Sequence, residues 1–149
     1  MTDTIDALWA AILAAPDEDG PRLVYGDLLL ARGDPQGELI QIQCSNSPDS
    51  ALRRREAELV ADRGRWLGKL APFATRYAMR RGFLDELGLE GRRVQAARLP
   101  GLLADRRIAL LSSLSIAEGG LGVAGARALA AAIAGPLARL RALSIDRDV

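Results

Sequence analysis

The chain has 149 residues, 49% apolar and 26% charged, which is the make-up of one globular domain or two small units and not of a disordered chain. It contains no histidine and one cysteine, Cys44. Ser-His-Asp and Cys-His catalysis, His-ligated zinc, imidazole pH sensing, internal disulfides and Cys-rich metal clusters are thereby excluded. Net charge is only +1, yet residues 1–50 carry two basic against nine acidic groups and residues 51–113 carry fourteen against seven. Such asymmetry fits an acidic face docking on a basic one, or a basic surface for an outside partner.

The acidic N-terminus lacks a basic region before an apolar stretch, and the apolar runs fall short of the roughly 18 residues a membrane span needs. A cytoplasmic protein without a membrane segment is expected.

A first helix begins at Asp3 or Thr4 and carries Ile5, Leu8, Trp9, Ile12 and Leu13 at helical spacing; Pro16 ends it. Pro21 starts a second, with Leu23, Val24, Leu28 and Leu30 as its apolar side, and Gly33 as C-terminal cap. Asp34-Pro35 opens a third, with Leu39, Ile40, Ile42 and Cys44. A fourth covers about 49–63, with Leu52, Leu59 and Val60 inward and Arg53, Arg54, Arg55 outward. A short segment with Trp66, Leu67 and Leu70 leads to Pro72. The first 76 residues thus read as an all-helical unit.

The second half, 77–149, changes character. Leu84-x-x-Leu87-x-Leu89 recurs 27 residues on as Leu111-x-x-Leu114-x-Ile116, and 29 further on as Leu140-x-x-Leu143-x-Ile145. Each copy is predicted to be a strand, near 84–89, 111–116 and 140–145. Helical segments follow, a good one at 123–134 and a poorer one at 94–104, where Pro100 interrupts. Such units cannot bury their own apolar side and stack into a solenoid, with parallel strands on a concave face. The fold class is therefore α/β: a helical cap on a short solenoid with a small parallel sheet.

The repeat resembles the leucine-rich repeat of the ribonuclease-inhibitor type. Leu121, Gly125, Leu129 and Ile133 match that family's positions after the strand; Gly119 stands where the family has Asn. In the first half, Pro21-Arg22-Leu23-Val24-Tyr25-Gly26-Asp27 and Ala31-Arg32-Gly33-Asp34-Pro35-Gln36-Gly37-Glu38-Leu39-Ile40-Gln41-Ile42-Gln43 resemble the bacterial repeat-companion domain. Arg81-Gly82-Phe83-Leu84 resembles the link into the first repeat. Members of that family usually have Ala at the place of Gly26 and Trp at that of Leu28. The resemblance implies an architecture and a binding role, with no catalytic activity and no cofactor.

Other candidates give way to plainer readings. Asp17, Glu18 and Asp19 before Gly20 fail as an EF-hand loop, since Ala15 and Gly26 fall at its first and twelfth positions. Asp27 and Glu38 lack a cleft for acid–base work, and Asp27 is read as an acceptor for Arg22 or a helix end. The Arg triplet 53–55 and the doublets at 80–81, 92–93 and 106–107 suggest phosphate contacts, against which stand scarce aromatics and interleaved acids. Gly119-Gly120-Leu121-Gly122 lacks the spacing of a phosphate loop. Cys44 is read as a small buried hydrophobe.

The outward strand positions form the candidate protein-binding face: Glu86, Gly88 and Glu90, then Ser113, Ser115 and Ala117, then Ala142, Ser144 and Asp146. They are small and mild, with no aromatic or Arg anchor among them. Four residues follow the last repeat strand, so the reading adds an uncapped C-terminal repeat, completed by a partner protein, a second copy or further repeats. The expected function is a non-enzymatic interaction module, an adaptor or regulatory subunit. The alternative is a nucleic-acid accessory protein using the Arg-rich middle.

Overall fold

The computed structural model describes residues 2–95, 97–117 and 121–145, with the side chains of residues 2 and 3 excepted. Two compact units emerge, Met1–Asp62 with Arg80–Phe83, and Arg63–Met79 with Leu84–Val149. The change of character in the sequence lies at 76/77.

The first unit holds four helices: α1 (Thr2–Ala14), α2 (Asp19–Ala31), α3 (Pro35–Gln43) and α4 (Ser50–Val60). Local chemistry sets their ends. Gly33 takes the left-handed conformation at φ 73° beyond α2. Asp34 then caps α3, its carboxylate accepting from Gln36 N at 2.9 Å, with Pro35 at the first helical position. Asp49 caps α4 through Leu52 N at 2.8 Å. Ile12, Leu39 and Ile40 are fully buried, each stabilising the unit by about 1.5–3 kcal/mol.

α2 does not bury the side that its apolar residues suggest. It buries Arg22, Tyr25, Gly26 and Leu29, while Val24 and Leu30 stand 53% and 44% exposed. The inner stripe runs through an arginine and a glycine, residues that an apolar count passes over. Gly26 makes room for Ile40, and Gly37 lets α2 and α3 touch backbone to backbone. A Cβ on Gly37 would lie 2.5 Å from Leu30 N and 2.6 Å from Gly26 O. On α4, Leu59 is buried but Leu52 is exposed. Arg55 grips Glu38 of α3 through two bonds, of 2.8 and 2.9 Å.

The second unit begins with α5 (Arg63–Leu67) and a 3-10 turn. A four-stranded sheet follows in the order β1 (Ala74–Arg80), β2 (Phe83–Glu90), β3 (Ser113–Ala117), β4 (Ala142–Ile145). α6 (Leu99–Leu103) lies between β2 and β3, and α7 (Gly122–Ile133) between β3 and β4. The fold is α/β. β2, β3 and β4 pair in parallel. β1 is a strand where the sequence reading had only a connection. Two residues separate it from β2, so the pair is antiparallel and the sheet is mixed.

β3 and β4 start two residues later than the repeat pattern predicts, after Leu111-Ser112 and Leu140-Arg141. There the backbone makes lateral bonds, Ser112 N to Asp85 O and Arg141 N to Ser112 O, both 2.8 Å, with Ala142 N also donating to Ser112 O at 3.0 Å. Pro100 sits in the first turn of α6, where its missing N–H is harmless, so it begins the helix that it was expected to interrupt. Leu84, Leu87, Leu89, Leu111, Leu114 and Ile116 all join one core with Leu129 of α7, whereas Ile133 is 40% exposed. Gly125 gives Leu121 its place, because a Cβ there would overlap the Leu121 side chain.

Gly37→Ala is expected to destabilise the protein by about 1–3 kcal/mol, because it forces two backbones apart. Gly101→Ala, in α6 with nothing within 4 Å of the new Cβ, should be neutral or stabilising by about 0.5–1 kcal/mol. Urea midpoints with unchanged slopes test both. Glu38 is held below its ordinary pKa of 4.5, first by the Arg55 hydrogen bond. A depressed carboxylate stabilises fully above that ordinary value and loses the effect as the pH falls through the lower folded value. In Glu38→Gln, urea midpoints should fall less steeply than in the wild type from pH 5 into the acid range.

Candidate interaction surface on the strand face

Alternation along β2 and β3 sends Leu87, Leu89, Leu114 and Ile116 into the core and the residues between them to the other face. Parallel pairing aligns the outward residues into cross-strand rows. Glu86 stands beside Ser113 and Ala142, Gly88 beside Ser115 and Ser144, and Glu90 beside Ala117. Eight of the nine residues singled out from the sequence therefore share one face; the ninth, Asp146, lies outside the described residues. Gly119 lies outside them too.

The face is graded in exposure. Glu86, Ala142 and Ser144 are exposed, Glu90, Ser113, Ser115 and Ala117 are half-buried, and Gly88 is buried. Gly88 is covered by β1. A Cβ on it would lie 2.7 Å from Thr75 Oγ1 and 2.8 Å from Arg76 Cγ. The Arg76 side chain uses the space that glycine leaves, crosses β2 and donates from Nη2 to Ser115 Oγ on β3 at 3.3 Å. The face thus has an arginine after all. It was missed because β1 carries no repeat signature.

Charge on the face is mixed. Glu90 pairs with Arg93 at 2.9 Å, and Arg76 is exposed beside Ser115. At the far edge, Leu143 and Ile145 repeat Leu114 and Ile116 in sequence, yet are 39% and 48% exposed where their counterparts are 0% and 1%.

The remaining candidates have structural partners. Asp27 accepts from Gln41 Nε2 at 2.6 Å, not from Arg22, whose Nη2 donates to Pro16 O at 2.6 Å. Glu38 is held by Arg55. Asp19 forms an ion pair with Arg81 at 3.1 Å. Cys44 is half-buried, and burial, with Asp19 nearby, pushes its thiol pKa up, so it stays protonated. Among the described residues, no group of three or more potential ligands is placed to hold a metal ion. No described helix is long and apolar enough to cross a membrane. Compared with known protein families, curated proteins and solved structures, the chain matches none of them.

Gly88→Ala should cost about 1 kcal/mol, a small overpacking term because side chains and not backbone must move. Much of the conflict is with Arg76, so Arg76→Ala should relieve it. A double-mutant cycle on urea unfolding is expected to show coupling of at least about 0.5 kcal/mol; strict additivity would mean that Arg76 does not lie over Gly88.

Proposed function

We propose that this protein is a non-catalytic interaction module, an adaptor or regulatory subunit that binds another protein through its strand face. The architecture in this reading is a repeat-companion helical unit followed by a short leucine-rich-repeat stack of the solenoid kind. One observation carries the proposal: the L-x-[LI] ends of the three repeat copies fall on strands paired in parallel and in register. Their outward residues therefore form rows that an extended segment can lie along. The side chains along those rows are small apart from Glu86 and Glu90, and Arg76 and Glu86 at the surface offer charged anchors. The exposed Leu143 and Ile145 add an apolar margin, which fits a partner or a second copy supplying a further strand. The single free thiol fits a reducing compartment such as the cytoplasm.

The test is quantitative affinity capture from native, nuclease-treated lysate with wild-type bait, Ser115→Arg and Arg54→Ala, all first shown to be folded by circular dichroism. A protein recovered in fixed ratio, depleted about tenfold or more by Ser115→Arg and retained by Arg54→Ala on α4, is the expected result. If no protein distinguishes the baits, the reading fails.

A second reading rests on charge. The unit Arg63–Met79 with Leu84–Val149 holds thirteen basic and seven acidic residues. Nucleic-acid binding would show as oligonucleotide affinity falling about a thousandfold or more between 50 and 200 mM salt. Weak, salt-insensitive binding would dispose of it.

A further inference from the structure

Arg80–Phe83 belongs to the helical unit, where it is held as a ligand is held. Arg81 and Gly82 have φ of 52° and 85°, the signature of a type I′ turn. Turns of this kind usually leave their backbone groups to water. Here both polar groups of Gly82 are taken by side chains of a single helix. Gln43 Oε1 accepts from Gly82 N at 2.7 Å, and Gln36 Nε2 donates to Gly82 O at 3.0 Å. The two glutamines are seven residues apart on α3, two helical turns, so they reach the turn from the same side.

Each flanking side chain is also read. Arg81 Nη1 donates to Asp17 O at 2.6 Å, and its Nε lies 3.1 Å from Asp19 Oδ1. The Phe83 ring sits 5.7 Å from Trp9 and 6.0 Å from Tyr25, centroid to centroid, with the Arg22 guanidinium 5.2 Å from its own centroid. Gly82 itself is selected twice. Its φ disfavours any side chain, and a Cβ would fall on Ile40 Cγ1. Arginine, glycine, aromatic ring and turn backbone are thus each matched by a separate feature of α1, α2, α3 or the segment joining α1 to α2. The donors exceed what the turn uses: Arg22 is 6% exposed, and its Nε has no hydrogen-bond partner among the described residues.

We propose that the helical unit is a recognition site for an Arg-Gly-Phe type I′ β-turn, occupied by the chain's own tip as a tethered ligand and able to accept the same turn from another polypeptide. This site is distinct from the strand face and does not rest on the function proposed above. It makes the partner a β-hairpin whose tip carries that tripeptide, another copy of this chain included. Tethering gives the internal tip a high effective concentration, so exchange requires the tip to be weakened or a competing hairpin to be abundant.

The test empties the cradle in the full-length chain. The triple variant Arg81→Gly, Gly82→Asn, Phe83→Thr keeps a Gly-Asn turn compatible with type I′ but puts a side chain against Ile40 and removes both anchors. Phe83→Ala serves as a milder second variant. The probe is a cyclised hairpin peptide spanning Ala78–Asp85, with a Gly82→Val version as control, followed by the Trp9 indole resonance. The expected result is saturable binding of the wild-type peptide to the triple variant, about tenfold or more tighter than to the unaltered protein, with the control peptide inert. Absence of saturable binding overturns the proposal, as does equal binding of both peptides. If a variant loses its helical circular dichroism, recovery on adding the wild-type peptide supports the site, and failure of the peptide to restore either variant overturns it.

Discussion

The grip on Gly82 is the constraint from which most of the helical unit follows. An arginine at φ 52° costs about 1–2 kcal/mol relative to an ordinary backbone conformation. Nothing local to Arg81 repays that. The compensation comes from Gln36, Gln43, Asp17 and Asp19, residues 38 to 64 positions earlier in the chain. Holding the turn requires α3 to present both glutamines. That requires α3 to lie hard against α2, and Gly37 is the residue that permits it. The buried Arg22 belongs to the same arrangement. Burial, with Arg81 beside it, lowers its pKa from the ordinary value. Its charge is answered by the Pro16 carbonyl and the Phe83 ring.

The strand face depends on a similar economy of side chains. Gly88 has no side chain on the sheet's outer surface, and that space lets a β1 side chain cross β2 to reach β3. One antiparallel strand thereby alters the chemistry of a face otherwise made by parallel repeats. Small residues alone make an open but weakly specific surface. A guanidinium held across the middle row, with Glu86 exposed on the neighbouring row, adds charges of both signs to it.

Charge divides along the same lines as structure. The helical unit, counted as Met1–Asp62 with Arg80–Phe83, holds seven basic and twelve acidic residues; the sheet unit holds thirteen and seven. The acidic excess of the first unit lies partly at helix starts, as Asp19, Asp34 and Asp49 do, where a carboxylate caps or faces the helix dipole. Arg55 is spent on Glu38 and Glu58 within that unit. The arginines of a charge run are therefore not interchangeable, and a count of them says little about a binding surface until each partner is known.

Three kinds of information were legible in the sequence. The helix boundaries at Gly33, Asp34-Pro35 and Asp49 were, because capping is local chemistry. So were the three repeat strands and their outward rows, because side-chain alternation in a strand needs no tertiary context. The class of reaction excluded by a chain without histidine was legible too. The inner side of α2 was not, because Arg22 and Gly26 face inward for reasons that lie in Phe83 and Ile40. Nor was β1. Its Arg-Gly turn is not one that short-range preference selects, and only side chains distant in sequence hold Arg81 left-handed. The Arg76–Ser115 contact follows from β1 and was hidden with it. What the sequence determined by itself was each element whose stabilising partners lie within a few residues. What the tertiary structure alone decided was the turn, the strand and the arginine whose partners lie 39 or more residues away.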